Sequence, residues 1–165
     1  MGRILFNNKG FTLLELLIVV AIIAILGSIA TSALLREIPK YNLQNASRGL
    51  FSDIQLTRLN AVRSGTICTL EQFPSNANGY RIVQNGAVVK TVTLPDDVQF
   101  GSLNGSAPAP DSGTFTGEKL IAQASGLTSS GSFFLKCRNT AYGSEIQVSS
   151  LGKPKIKKWN GAAYL

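Results

Sequence analysis

Histidine is absent from this sequence. That absence removes the commonest general base at neutral pH, any Ser-His-Asp arrangement and the usual nitrogen ligands of zinc. Cysteine is nearly absent too: Cys68 and Cys137 are the only 2, too few for a four-cysteine metal site. There is no phosphate-cradling glycine loop with its lysine, and no pair of carboxylates at a spacing that implies acid–base work. Glu71, Asp96 and Asp97 read as solvated charges beside turns, and none of the many serines and threonines has an evident base. Catalysis is therefore not expected, and neither is a metal or an organic cofactor. Charge is scarcest near the start of the chain. From Phe11 to Leu35 the only ionisable residue is Glu15, and proline does not occur.

That apolar run organises the rest. As a helix rising about 1.5 Å per residue it would be roughly 37 Å long, enough to cross a hydrocarbon core of about 30 Å with every backbone polar group satisfied internally. Glu15 is the anomaly, because a carboxylate in such a segment costs about 2.5–3.5 kcal/mol on insertion scales. A plain membrane anchor accounts for the run and leaves Glu15 without a purpose. A secretory signal peptide, cut after Ser28-Ile29-Ala30, would release the remainder, but the core from Phe11 to Leu26 is too long for one and contains an acid. Either way the remainder of the chain ends up outside the cytoplasm.

Gly10-Phe11-Thr12-Leu13-Leu14-Glu15 resembles the prepilin cleavage site of type IV pilins and of the pseudopilins of type II secretion. The preceding segment, Met1 to Gly10, is short and carries Arg3 and Lys9 without an acid, as prepilin leaders do. The resemblance implies that a prepilin peptidase cuts after Gly10 and methylates the new terminal residue, Phe11. It also implies that Glu15 pairs with the terminal amine of a neighbouring subunit during filament assembly, which supplies the partner the carboxylate lacks. The partners expected are thus other pilin or pseudopilin subunits, the peptidase and the bacterial inner membrane. The chain would cross that membrane once, with its globular part outside the cytoplasm, before entering a pilus or pseudopilus.

The chain then divides into a leader (1–10), a membrane and assembly half of the N-terminal helix (11–35), an amphipathic half (36–64) and a globular β-domain (65–165). The expected fold class is α+β, a long helix packed on an antiparallel sheet. The net charge is +7; of the 16 basic residues Arg3 and Lys9 lie in the leader, leaving 14 against 9 acidic ones, or +5. An exported chain sits where disulfides persist, which favours a Cys68–Cys137 bridge over two free core thiols. Such a bridge would close a loop of about 70 residues and contribute about 4 kcal/mol in the chain-entropy model.

Beyond Glu37, Pro39 removes a helical donor and predicts a kink. Leu43, Ala46, Leu50, Ile54, Thr57 and Ala61 recur at helical spacing on one face, with Arg48, Gln55, Arg58 and Arg63 pointing elsewhere. Leu56 and Leu59 lie off that stripe and are expected to be partly exposed. Ser64-Gly65 provides a stop. From Thr66 the period changes to two. Strands are expected at 66–70, at 80–84 and 87–94 about an Asn85-Gly86 type I′ turn, and at 98–100, 120–122, 132–138 and 145–149. Residues 101–117 read as a surface loop.

The tail Lys153-Pro154-Lys155-Ile156-Lys157-Lys158-Trp159 reads as an edge strand or a loop beside one, since proline cannot donate to a ladder and lysines discourage edge-to-edge pairing. The helix, the Thr66-Ile67-Cys68 strand, Phe133-Phe134-Leu135-Lys136-Cys137 and the closing Gly-basic-x-basic strand resemble the FimT/GspH branch of minor pilins. Some FimT-like members bind DNA through a C-terminal Gly-Arg-x-Arg pattern, which here matches Gly152, Lys153, Pro154 and Lys155. Both arginines are lysines, so the planar fork suited to phosphate is lost. With Lys157 and Lys158 the patch would still neutralise about three or four phosphates, and Trp159 could stack on a base. A charged edge is the competing reading.

Overall fold

The apolar run and the amphipathic stripe form one element, α1 (Leu13–Ser64), and every strand after it is antiparallel to its neighbours. The computed structural model describes residues 11–73, 78–101, 119–159 and 165, with the backbone alone at 29–34 and 36. The expected leader, residues 1–10, and the expected loop beyond Gly101 lie outside that description. The architecture is α+β.

Taken by itself, the part of the chain up to Glu37 is helical from Leu13, and the large apolar side chains from Leu13 to Leu26 are exposed. A helix that is apolar all round requires lipid or other helices about it. Among the described residues no helix is long and apolar enough to cross a membrane. The side chains described within the expected 11–35 span end at Ser28 and resume at Leu35.

The second unit begins at Ile38. Proline removes one ladder bond from a helix, and α1 continues through Pro39. Leu43, Leu50, Ile54, Thr57 and Ala61 are buried as their spacing predicts, Ala46 packs against the core, and Arg48, Gln55, Arg58 and Arg63 are exposed. Leu56 is half-buried and Leu59 exposed. Gly65 ends the helix at φ 66°, a conformation that favours glycine.

Two four-stranded sheets follow. The first runs β3 (Ala87–Thr93), β2 (Gly79–Gln84), β1 (Cys68–Gln72), β5 (Lys119–Ala122); the second runs β4 (Val98–Phe100), β6 (Gly131–Cys137), β7 (Gly143–Val148), β8 (Pro154–Lys158). β1 starts two residues later than its pattern predicts, because Thr66 and Ile67 make the bend out of the helix. The hairpin is as expected: Asn85 at φ 52° and Gly86 at φ 81° are both left-handed, as a type I′ turn requires. One apolar cluster joins Leu50 and Ile54 of α1 to Leu70 and Ile82 of the first sheet and Phe133, Leu135 and Ile146 of the second. Full burial of each such side chain contributes about 1.5–3 kcal/mol.

The expected Cys68–Cys137 bridge is not present. Both are free, buried thiols. Cys68 belongs to β1 in the first sheet and Cys137 to β6 in the second, and the Cys137 thiol donates to the Pro39 carbonyl at 3.3 Å, using its hydrogen to tie the sheet to the helix. Burial pushes the pKa of each thiol up, which keeps it protonated and unreactive. The two act as small core side chains.

Candidate functional site

Two regions carry the residues singled out by the sequence. The first is the start of α1. Thr12 stands just before the helix, and its hydroxyl accepts the Glu15 backbone N–H at 3.2 Å while its carbonyl accepts from Leu16. This is one half of a capping box, in which a hydroxyl residue occupies the cap and a glutamate the third helical position. The cap fixes where the helix begins, and so places the Glu15 carboxylate on its first turn, where the helix dipole favours negative charge. Glu15 is exposed, and Phe11 is 81% exposed. Gly10 lies outside the described residues.

The second region is β8, the outer strand of its sheet. Register with β7 sets which way its lysines point. Lys157 lies opposite Glu145 and Lys155 opposite Gln147, so both project from the outer face. There the Lys157 ammonium is 3.7 Å from the buried Glu145 carboxylate, whose other oxygen accepts from the Ser132 hydroxyl. Lys158 alternates to the opposite face with Ile156 and lines a concavity of about 400 Å³ against α1, together with Lys40, Leu43, Arg48 and Trp159. The Trp159 backbone N–H donates to Gly143, and Lys158 exchanges two backbone hydrogen bonds with Leu165, closing that end of the edge. Lys153 precedes the strand and lines a second, more open concavity with Gln55, Arg58, Leu59, Val62 and Pro154. The four lysines of the tail are therefore distributed over two faces.

Gly152, the glycine of the Gly-basic-x-basic pattern, has a structural reason. Its φ is 69°, and a β-carbon there would lie 2.5 Å from Arg58 Cδ and 3.1 Å from Thr128 Cγ2. Arg58 cannot simply withdraw, since its Nε donates to the Gly126 carbonyl at 2.9 Å. Gly152→Ala should destabilise the fold by about 1–2 kcal/mol, measured by urea unfolding. An added Arg58→Ala should relieve the clash but leave the backbone strain, and it also removes the Arg58–Gly126 hydrogen bond, so the loss in the double variant is read against Arg58→Ala alone.

Glu71 is not a solvated charge beside a turn. It sits within β1, directly across from Arg81 on one side and Lys119 on the other. Its carboxylate contacts Lys119 at 2.6 Å and Arg81 at 3.1 Å. The Lys119 hydrogen bond, helped by Arg81 and Thr69 and opposed by partial burial, holds the carboxyl below its ordinary 4.5. A depressed folded-state pKa stabilises above the unfolded value, and that contribution is lost as pH falls through the folded one. Stability should thus decline with acid from about pH 4.5 downward, and Glu71→Gln should make that decline shallower in unfolding curves taken across the range. Asp97 is also engaged, accepting from the Asn42 side chain at 2.9 Å.

Sequence reasoning missed one cluster altogether. Asp53, buried on α1, accepts from the Tyr80 hydroxyl at 2.8 Å and from the Lys90 ammonium at 2.6 and 2.8 Å. Burial, then the adjacent Asp53, pushes the Tyr80 pKa far above its ordinary value, so the phenol remains a donor. No cluster of potential metal ligands occurs among the described residues.

Comparison with known protein families covers the first region and ends at Gly152, just before β8. Residues 5–31 match the prokaryotic N-terminal methylation motif, and residues 46–152 match the type II transport protein GspH. The fold is similar to the minor pseudopilin EpsH from the type 2 secretion system of Vibrio cholerae, with 12% identity over 72% of this chain and 96% of that one and a TM-score of 0.49. It is similar also to the type IV minor pilin FimU of Pseudomonas aeruginosa, with 16% identity over 74% and 97% of the two chains and a TM-score of 0.47. No curated protein matches the sequence.

Proposed function

The chain belongs to the GspH family of type II transport proteins and carries the prokaryotic N-terminal methylation motif; from that premise we propose that it is a non-catalytic minor subunit of a type IV pilus or a type II secretion pseudopilus. In this reading prepilin peptidase removes residues 1–10 after Gly10 and methylates Phe11. The apolar half of α1 holds the subunit in the bacterial inner membrane, with the β-domain outside the cytoplasm, and then enters a bundle of like helices. Glu15 sets register there by pairing with the terminal amine of a neighbouring subunit.

The observation that carries this reading is the methylation motif ending in a capped helix. Thr12 fixes the helix start and leaves an exposed carboxylate on the first turn, next to the expected cut. Mass spectrometry of the mature protein tests it. The expected N-terminus is Phe11 bearing one added methyl group, and Gly10→Leu should leave an uncut precursor. A terminus at Thr31 would instead mark a signal-peptidase product and overturn the reading. Nucleic-acid capture through Lys153, Lys155, Lys157 and Lys158 has less support, because Lys157 faces Glu145 and Lys158 turns to the other side of β8.

A further inference from the structure

The two concavities flanking β8 share one seam. At one end α1 contributes Lys40 and Arg48 and the strand contributes Lys158; at the other α1 contributes Arg58 and the strand end Lys153. The order of these residues shows β8 running antiparallel to α1, with the concavities end to end between them. Five cations therefore border the seam. Among the described residues lining it there is no carboxylate. Apolar side chains lie among the charges, Leu43, Ile156 and Trp159 at one end and Leu59, Val62 and Pro154 at the other, beside polar Gln44, Ser47 and Gln55. Leu59 and Val62 are about half exposed, at 51% and 48%.

We propose that this seam docks an acidic amphipathic segment of a different subunit of the same filament, its apolar side chains against those of the seam and its carboxylates against the bordering cations. The proposal rests on the filament-subunit reading and adds the partner's chemistry. Charge complementarity selects an acidic occupant and steers its approach. Net charge argues against a second copy, because two cut chains of +5 each repel. Nucleic acid calls for cations along a backbone track and aromatic platforms for its bases; Trp159 offers one such platform, but Leu43, Ile156, Leu59 and Val62 are aliphatic and favour apolar anchors instead. A helix laid in a groove through apolar anchors at i, i+3, i+4 and i+7 fits both features.

Trp159, the single tryptophan of the chain, lines the seam and reports directly on its occupancy. The processed full-length chain in a non-ionic detergent is titrated with a synthetic helix of about 15 residues, leucines on one face and glutamates elsewhere. Saturable change in Trp159 fluorescence is expected, with half-saturation at about micromolar peptide and weakening in salt. Arg48→Glu with Lys158→Glu should weaken binding by about tenfold or more. These are surface sites, and unchanged thermal unfolding of the variant confirms that it folds. Equal binding of the lysine-for-glutamate peptide, or unchanged binding by the charge-reversed variant, overturns the proposal. So does tighter binding of a single-stranded DNA of about 20 nucleotides. Mass spectrometry of the same preparation separates the two readings. Absence of peptide binding by a chain that starts at Phe11 sinks the seam alone, whereas any other N-terminus removes the filament and this partner with it.

Discussion

Replacing Glu15 with alanine should give a chain that is cut after Gly10 and held in the membrane, yet is depleted from filaments by about tenfold or more, each decade corresponding to about 1.4 kcal/mol of lost association. Three features make the loss interpretable. The capping bond of Thr12 is made to the Glu15 backbone N–H, which alanine retains, so the helix start survives. Only the dipole contribution of the carboxylate is lost, about 0.3–1 kcal/mol. Removing a carboxylate makes membrane insertion easier, so a failure to assemble cannot be a failure to insert. Glu15→Gln separates charge from hydrogen bonding. If pairing with a terminal ammonium is the source of register, glutamine should behave like alanine and aspartate should recover part of the incorporation. Quantifying the variant in sheared filaments against the membrane fraction decides the matter, and wild-type incorporation of Glu15→Ala would overturn it.

The features legible in the sequence are those set by local periodicity and turn chemistry. The stripe from Leu43 to Ala61, the stop at Gly65 and the Asn85-Gly86 turn each follow from a few adjacent residues, and each is found where expected. The proline in β8 placed that strand at a sheet edge for the same reason. What could not be read is whatever depends on which strand lies beside which. Glu71 looked solvated because Arg81 and Lys119, its neighbours across the ladder, are distant along the chain. The Cys68–Cys137 bridge was expected from the compartment alone, which says nothing of how the two sheets carrying those residues are placed. The alternation that sends Lys157 outward and Lys158 inward was in the sequence, but only the register with β7 says which face meets α1. Asp53 and Ser47 did leave a local signal, since both fall at helical spacing within the apolar stripe, and an acid on a buried face calls for a partner.

That partner makes Asp53 a position where a single substitution should do substantial harm to the fold. The carboxylate is 4% exposed, and α1 presents it to β2 and β3, where Tyr80 and Lys90 donate to it. Asp53→Ala strands the Tyr80 hydroxyl, which is buried with no other partner found for it among the described residues, while Lys90, whose side chain is 44% exposed, can return to water. The expected loss is about 2–4 kcal/mol, read from urea unfolding of the detergent-solubilised chain. Lys90→Met works from the other side. It leaves a buried carboxylate held by one phenol, so its effect should also reach about 2–4 kcal/mol. Tyr80→Phe removes one hydrogen bond and no volume, and should be mildest at about 1–2 kcal/mol. Non-additivity carries the argument: a chain with Asp53→Leu, Lys90→Met and Tyr80→Phe together should be more stable than Asp53→Ala alone, because no polar group is then left buried without a partner. If the three losses simply add, the cluster is a set of independent contacts and not a staple between helix and sheet.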